Sequence, residues 1–466
     1  MKKNILLSIL SIILTLTIAL SVTACVWTSA TTTTTTSNKG VNDIENPGQT
    51  EREPVDYSST FWIVDALFKS FSIFDIDYET AMLAAIRAYI EATGDRYAVY
   101  YTEDELQALM DDNNGDLYGI GVQVIFDYDE HFMEIVSVMP DSPALEFIEP
   151  GDKVTHVMIN NENVALVDLV AHFKERLQQL YPYYDEELIN DEACYEAFQY
   201  AVSCLKGPVG TYAQFTVDRN GEIIEMNIQR AKVKTVSVSG KVSSTDSSVG
   251  IVSISTFDLT TPVQFQETMD KLIAQGCDKF VFDLRNNSGG ALISVSAVLS
   301  TLLQKNDIIY STKDYSGTIE YTKVEPVTYN PASDYASCNV SAKDIAKYSG
   351  YEMVVLANSM TASAAEIFVS ALRDYELAEI VGVKTYGKGS VQNVVTLSNY
   401  GKEYVGGLRL TTKLFFPPCG IGFNNGIGIE PNHYVELEGI AAEIHYLKLT
   451  EDIDNQLQKA ISVLVD

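Results

Sequence analysis

The sequence predicts a multidomain fold of mixed α/β and α+β class: a helical N-terminal region, a β-rich domain with a helical insertion, and an α/β core domain. Its 466 residues exceed what one ordinary hydrophobic core accommodates. Its apolar period changes from helical spacing around Phe61–Ile90 to short alternating runs around Gly119–Ile159. From Gly250 onward, apolar runs alternate with helix-like segments, as in a layered α/β domain. The boundaries drawn from these changes are 1–25, 26–57, 58–114, 115–233 (with an insertion at about 171–203) and 234–466. A hydrophobic fraction of 46% is globular, while the net charge of −31 repels phosphate backbones and excludes nucleic acid as a partner.

The first segment has Lys2 and Lys3, an apolar or hydroxyl run from Ile5 to Leu20, and small residues before Cys25. That is the layout of an export signal. Val22-Thr23-Ala24-Cys25 resembles a bacterial lipobox, which implies a lipidated Cys25 as the first mature residue and a chain held at the bacterial cell membrane, facing the extracellular side. The alternative is an uncleaved anchor helix with an incidental cysteine. Thr31 to about Pro54 is too polar to fold and reads as a stalk. Beyond it, Phe61, Val64, Leu67, Phe68 and Phe71, then Met82, Leu83, Ile86, Tyr89 and Ile90, mark helices.

Strands are predicted over Gly119–Ile125, Phe132–Val138 and Lys153–Ile159, with Asp141-Ser142-Pro143-Ala144 opening a short helix and Pro150-Gly151-Asp152 forming a turn. This succession resembles a PDZ domain. The resemblance implies that Tyr118, Gly119, Ile120 and Gly121 form the loop whose N–H groups capture a peptide C-terminal carboxylate, the peptide adding a strand to the sheet edge. It continues at Leu205–Thr211 and at the strand pair around Arg219-Asn220-Gly221, after an insertion rich in helix formers and tyrosine. The cysteines beyond Cys25 fit no metal spacing, and Cys194 and Cys204 are left open to pairing.

In the core, strands are predicted at Ile251–Ile254, Phe280–Leu284, Met353–Ala357 and Ala378–Val383. Helices are predicted near Pro262–Gln275, Ala291–Leu303, from Ala362 to about Tyr375, and over Asp454–Val463. Ser363 stands at a strand-to-helix turn, where a serine is either an N-cap or a nucleophile; Thr361 is the alternative cap. In the first helical turn, free N–H groups favour a developing oxyanion. No histidine lies in a Gly-x-Ser-x-Gly context, so the candidate base is Lys388, which has no acidic neighbour between Lys384 and Leu397. Gln392, four residues on, falls on the same face of a strand and could hold the amine without adding charge. Asp283–Gly290 follows a strand and ends in Gly289-Gly290, which serves either as a turn or as an oxyanion-hole donor. Taken singly, Ser363 as a cap and Lys388 in a solvated turn are the ordinary readings.

Together these elements resemble the C-terminal processing peptidases, also called tail-specific proteases. The resemblance rests on Gly94-Asp95-Arg96-Tyr97, Asp-Leu-Arg-Asn-Asn-x-Gly-Gly at Asp283–Gly290, Ala-Ser-Ala-x-Glu-Ile at Ala362–Ile367, Gly-Lys-Gly-Ser-Val-Gln at Gly387–Gln392, and Gly428-Ile429-Glu430-Pro431. It covers about Phe61 to the end, and departs from the usual pattern at Ser288 and Ala365. It implies a serine endopeptidase with Ser363 as nucleophile, Lys388 as general base, Gln392 as its orienting partner, and Gly290 or Gly289 with the Ala364 N–H as oxyanion hole. It further implies no metal or cofactor, and protein or peptide substrates recognised through their C-termini; the oligomeric state is left open, a homo-oligomer being one reading. The competing class is a non-proteolytic, lipid-anchored peptide- or ligand-binding scaffold.

Overall fold

The computed structural model describes residues 57–329 and 338–465. The export signal, Cys25 and the stalk up to residue 56 lie outside the described residues. The chain divides into two compact units, one ending at Tyr100 and the other beginning at Tyr101. In the first, α1 (Tyr57–Phe71) and α2 (Tyr78–Ala92) follow the predicted helical spacing, Tyr57 opening α1 rather than closing the stalk. The Asp77 carboxylate caps α2 by accepting the Thr80 N–H (3.1 Å). A short strand, β1 (Val99–Tyr101), follows. Among the described residues no helix is long and apolar enough to cross a membrane.

The second unit opens with α3 (Glu103–Asn114), bounded by a Thr102/Glu105 capping box and by Gly115 at φ 72°. A β-rich domain follows: β2 (Asp116–Gly119), β3 (Val122–Asp127), β4 (Phe132–Val138), β5 (Lys153–Ile159), β6 (Glu162–Ala165), α4 (Leu166–Leu180), α5 (Glu186–Leu205), β7 (Tyr212–Arg219), β8 (Glu222–Gln229) and β9 (Ala231–Lys234). Its main sheet runs β3-β4-β5-β7-β8, with β6 on β5 and a separate β2-β9 pair. Met133, Ile135, Val154, Val157, Phe215 and Val217 fill its core. The Arg219 guanidinium clamps the turn at Asp152, donating to both carboxylate oxygens (2.7 and 2.7 Å). The short helix predicted at Asp141–Ala144 does not form: residues 141–147 make successive turns. Asp141 at φ 56° and Pro150-Gly151 leave too few residues between them to propagate helical bonding. Cys194 and Cys204 are both free thiols.

The core comprises β10 (Val238–Val242), β11 (Val249–Ile254), α6 (Thr261–Ala274), β12 (Lys279–Asp283), α7 (Leu292–Ser300), β13 (Ile308–Asp314), β14 (Ile319–Lys323), β15 (Val327–Tyr329), β16 (Cys338–Val340), β17 (Glu352–Ala357), α8 (Ala364–Asp374), β18 (Ala378–Gly382), β19 (Ser390–Thr396), β20 (Gly407–Phe416), β21 (His433–Tyr434) and α9 (Asn455–Val465). One sheet runs β10-β11-β12-β17-β18-β21, antiparallel only at β10-β11. Strand alternation splits its side chains between two layers. Val252, Phe280, Phe282, Met353 and Val355 pack with Phe265, Val298 and Phe368 of α6, α7 and α8; Ile251, Val281, Val354 and Leu356 pack with Leu457 and Ile461 of α9. Burial on both faces explains why these strands read as unbroken apolar runs. A second, antiparallel sheet places β20 between β19 and β13, with β14 beyond β13.

Candidate active site

The segments Leu284–Gly290, Asn358–Ser363 and Val383–Gly389 leave the carboxyl ends of β12, β17 and β18, which are neighbours in the parallel sheet. That edge is where open α/β sheets place their ligands. The Asn358–Ser363 and Leu284–Gly290 segments are sewn together. The Asn286 N–H donates to Asn358 Oδ1 (2.9 Å), Thr361 Oγ1 to the Leu284 carbonyl (2.8 Å), and the Ala362 N–H to the Asn287 carbonyl (2.9 Å). Thr361 is therefore spent on holding the loop and does not cap α8; Ser363 occupies the N-cap position.

Ser363 is held at φ 56° and ψ −119°, backbone that a non-glycine residue adopts only under constraint. Gly289 presses against that turn: a β-carbon there would lie 2.9 Å from Ser363 Cβ and 3.0 Å from Ala364 N. Its N–H is already given to Asn287 Oδ1 (2.8 Å). Gly290, by contrast, is exposed at φ 139°, and among the described residues its N–H has no acceptor. The same holds for the N–H of Ala364, a residue that is fully buried at the start of α8. Buried amides without partners are rare, and at a helix N-terminus they form a ready anion site.

Lys388 is brought to this turn by Glu366. The Glu366 carboxylate is buried and accepts the Ser363 N–H (3.0 Å) and the Lys388 N–H (2.8 Å) on Oε2. Its Oε1 accepts the Gly387 N–H (2.7 Å) and the Thr385 hydroxyl (2.6 Å). Burial pushes this carboxyl up, against the opposing pull of those hydrogen bonds. Sequence reasoning gave Glu366 no role. The signal was present in Ser363-x-x-Glu366, a capping-box spacing whose glutamate reaches back to the N-cap amide. The other side of the lysine loop is fixed by Asn424, whose Oδ1 accepts the Gly389 N–H (3.0 Å).

Gln392 lies in β19, but the even-spacing argument for it does not hold. Lys388 precedes the strand, so strand alternation does not carry from it to Gln392. The Gln392 amide instead donates to Ser390 Oγ (2.9 Å) and Thr411 Oγ1 (3.3 Å). In the β-rich domain, Tyr118 and Gly119 belong to β2, while Ile120 and Gly121 are buried. The carbonyls of Tyr118, Ile120 and Gly121 accept from Gly207, Ala144 and Met139, whereas the N–H groups of Ile120 and Gly121 have no acceptor among the described residues. The adjacent strand β3 pairs only with β4 there.

Residues 248–435, which include Gly290, Ser363, Glu366, Lys388 and Gln392, match the model of Peptidase family S41. This segment is similar to the family S41 peptidases. A probable CtpA-like serine protease of Staphylococcus saprophyticus subsp. saprophyticus is 27% identical over 78% of this chain and 62% of its own length. One from Staphylococcus haemolyticus is 29% identical over 75% of this chain and 59% of its own. The chain thus spans about three-fifths of the length of these curated relatives. The solved photosystem II D1 C-terminal processing protease aligns at 21% identity and a TM-score of 0.41, covering 81% of this chain and 87% of that one.

Proposed function

We propose that this protein is an exported, lipid-anchored serine endopeptidase of the C-terminal processing type, acting through Ser363 and Lys388. The observation that carries the reading is the shared Glu366 Oε2, which hangs the serine and lysine backbones on one oxygen beside two N–H groups that have no acceptor among the described residues. In the reaction, Lys388 Nζ, as the neutral amine, takes the Ser363 Oγ proton as Oγ attacks the scissile carbonyl carbon. The Gly290 and Ala364 N–H groups receive the oxyanion, Gly289 being excluded because its own N–H is engaged. Collapse breaks the C–N bond, and the lysine ammonium protonates the leaving amine. Water, deprotonated by the same amine, then attacks the acyl-enzyme ester and releases Ser363. Gln392 steadies Lys388 throughout.

The β-rich domain acts as a PDZ-type receptor for substrate C-termini. The buried N–H groups of Ile120 and Gly121, without an acceptor among the described residues, and the β3 edge, unpaired among them, support this. The basic N-region, apolar run and Cys25 support export and a lipid anchor on the outer face of the bacterial membrane. A fluorophosphonate probe and a quenched peptide test the reading together. Labelling at Ser363 in the wild type is expected, with turnover abolished in Ser363→Ala and in Lys388→Ala. Peptide binding without labelling or turnover would instead identify a scaffold, and an active Lys388→Ala protein would remove lysine as the base.

A further inference from the structure

The Gln392 side chain amide has two N–H bonds and one carbonyl, and Nε2 faces two hydroxyls, Ser390 Oγ at 2.9 Å and Thr411 Oγ1 at 3.3 Å. With Nε2 committed, Oε1 is the end that can accept a hydrogen bond from an amine. Ser390 reaches Nε2 through local chain geometry, two residues away on the same strand. Thr411 reaches it by a different route. On β20, Lys413 stands opposite Val391 and Thr411 opposite Gln392, so Thr412 is an extra residue with no partner across the ladder. This is a β-bulge, and bulges re-aim side chains next to functional sites. Without the register shift Thr412 would oppose Gln392; with it, Thr411 does. Thr412 Oγ1 is buried with no hydrogen-bond partner among the described residues, an unfavourable arrangement that the bulge retains.

We propose that Thr411 is a positioning residue for the base: its hydroxyl bond to Gln392 Nε2 holds the side chain in place, leaving Oε1 to accept from Lys388 Nζ. The inference rests on the Ser363/Lys388 reading above and extends it one residue beyond Gln392. The bulge at Thr412 is the device that delivers the hydroxyl. A neutral amide oriented this way holds the amine's direction without a carboxylate, whose charge would favour the protonated, non-basic form.

The test uses the full chain and three variants. Thr411→Val keeps the shape and removes the acceptor; Thr411→Ser keeps the acceptor and removes a methyl; Gln392→Ala removes the amide. Expected for Thr411→Val is a fall of about tenfold in kcat and in fluorophosphonate labelling rate, the scale set by misorienting a general base. KM and thermal midpoint should stay unchanged, and Thr411→Ser should recover at least half of the lost rate. A merely structural threonine would move the thermal midpoint and would not separate kcat from KM. If Gln392→Ala is impaired while Thr411→Val matches wild type, the Thr411 role is wrong and the dyad stands. A wild type that neither turns over nor labels overturns both.

Discussion

At Glu366 a single carboxylate holds together the backbones of Ser363 and Lys388, the proposed nucleophile and base. Whichever way an amide replaced it, its NH2 would face a backbone N–H, since Oε1 carries the Gly387 amide and Oε2 carries those of Ser363 and Lys388. Glu366→Gln is therefore expected to lower stability by about 2 kcal/mol. It should also reduce kcat by roughly a hundredfold through displacement of the lysine loop; a variant with wild-type kcat would show that the clamp is dispensable. Ser363, Lys388 and Gly290 were legible because each stands in a local pattern: a strand-to-helix turn, a Gly-Lys-Gly, a glycine pair at a strand end. Glu366's link to the lysine loop was not, because its partners Thr385–Lys388 lie far along the chain. Nor was the bulge opposite Gln392, which depends on pairing between strands and leaves no periodic trace in either.

Among the elements, the joint between β12 and α9 is the clearest ionic one. Arg285, almost wholly buried, donates to both oxygens of Asp283 (3.0 and 2.7 Å) and both of Asp454 (2.9 and 2.7 Å). Burial opposes its charge, but the two carboxylates outweigh that and hold the guanidinium fully protonated. Removing one member of such a buried set strands the others, so Arg285→Met should cost about 3 kcal/mol in urea unfolding. Faster hydrogen exchange across residues 455–465 should accompany it, and unchanged exchange would show that apolar packing alone seats the helix. The elements themselves were readable where burial is two-sided, as in Phe280–Phe282 and Met353–Ala357, since such runs are apolar throughout. Exposed strands such as β14, Ile319–Lys323, and β15, Val327–Tyr329, carry too mixed a pattern to stand out from loops and escaped notice for that reason.

For the molecule as a whole, acid loosens the core at a definable point. Glu451 is desolvated, which pushes its pKa up, but the Ser243 hydroxyl (2.5 Å) and the N–H groups of Ser244 and Thr245 (3.0 and 3.0 Å) outweigh this and bring it to about 2. A carboxyl depressed from 4.5 to about 2 contributes stability that is complete above pH 4.5 and lost as pH falls from there toward 2. Denaturant unfolding of Glu451→Gln at pH 7 should be about 2 kcal/mol less stable than wild type, with the gap closing by pH 2. A gap independent of pH would assign the effect to packing. The backbone of Ser363 sets a different kind of limit. Glycine would adopt its φ of 56° without strain, whereas serine there stores about 1–3 kcal/mol. A population of variants selected for heat resistance alone would thus drift toward glycine at position 363, so that heat tolerance and chemistry pull this one codon in opposite directions.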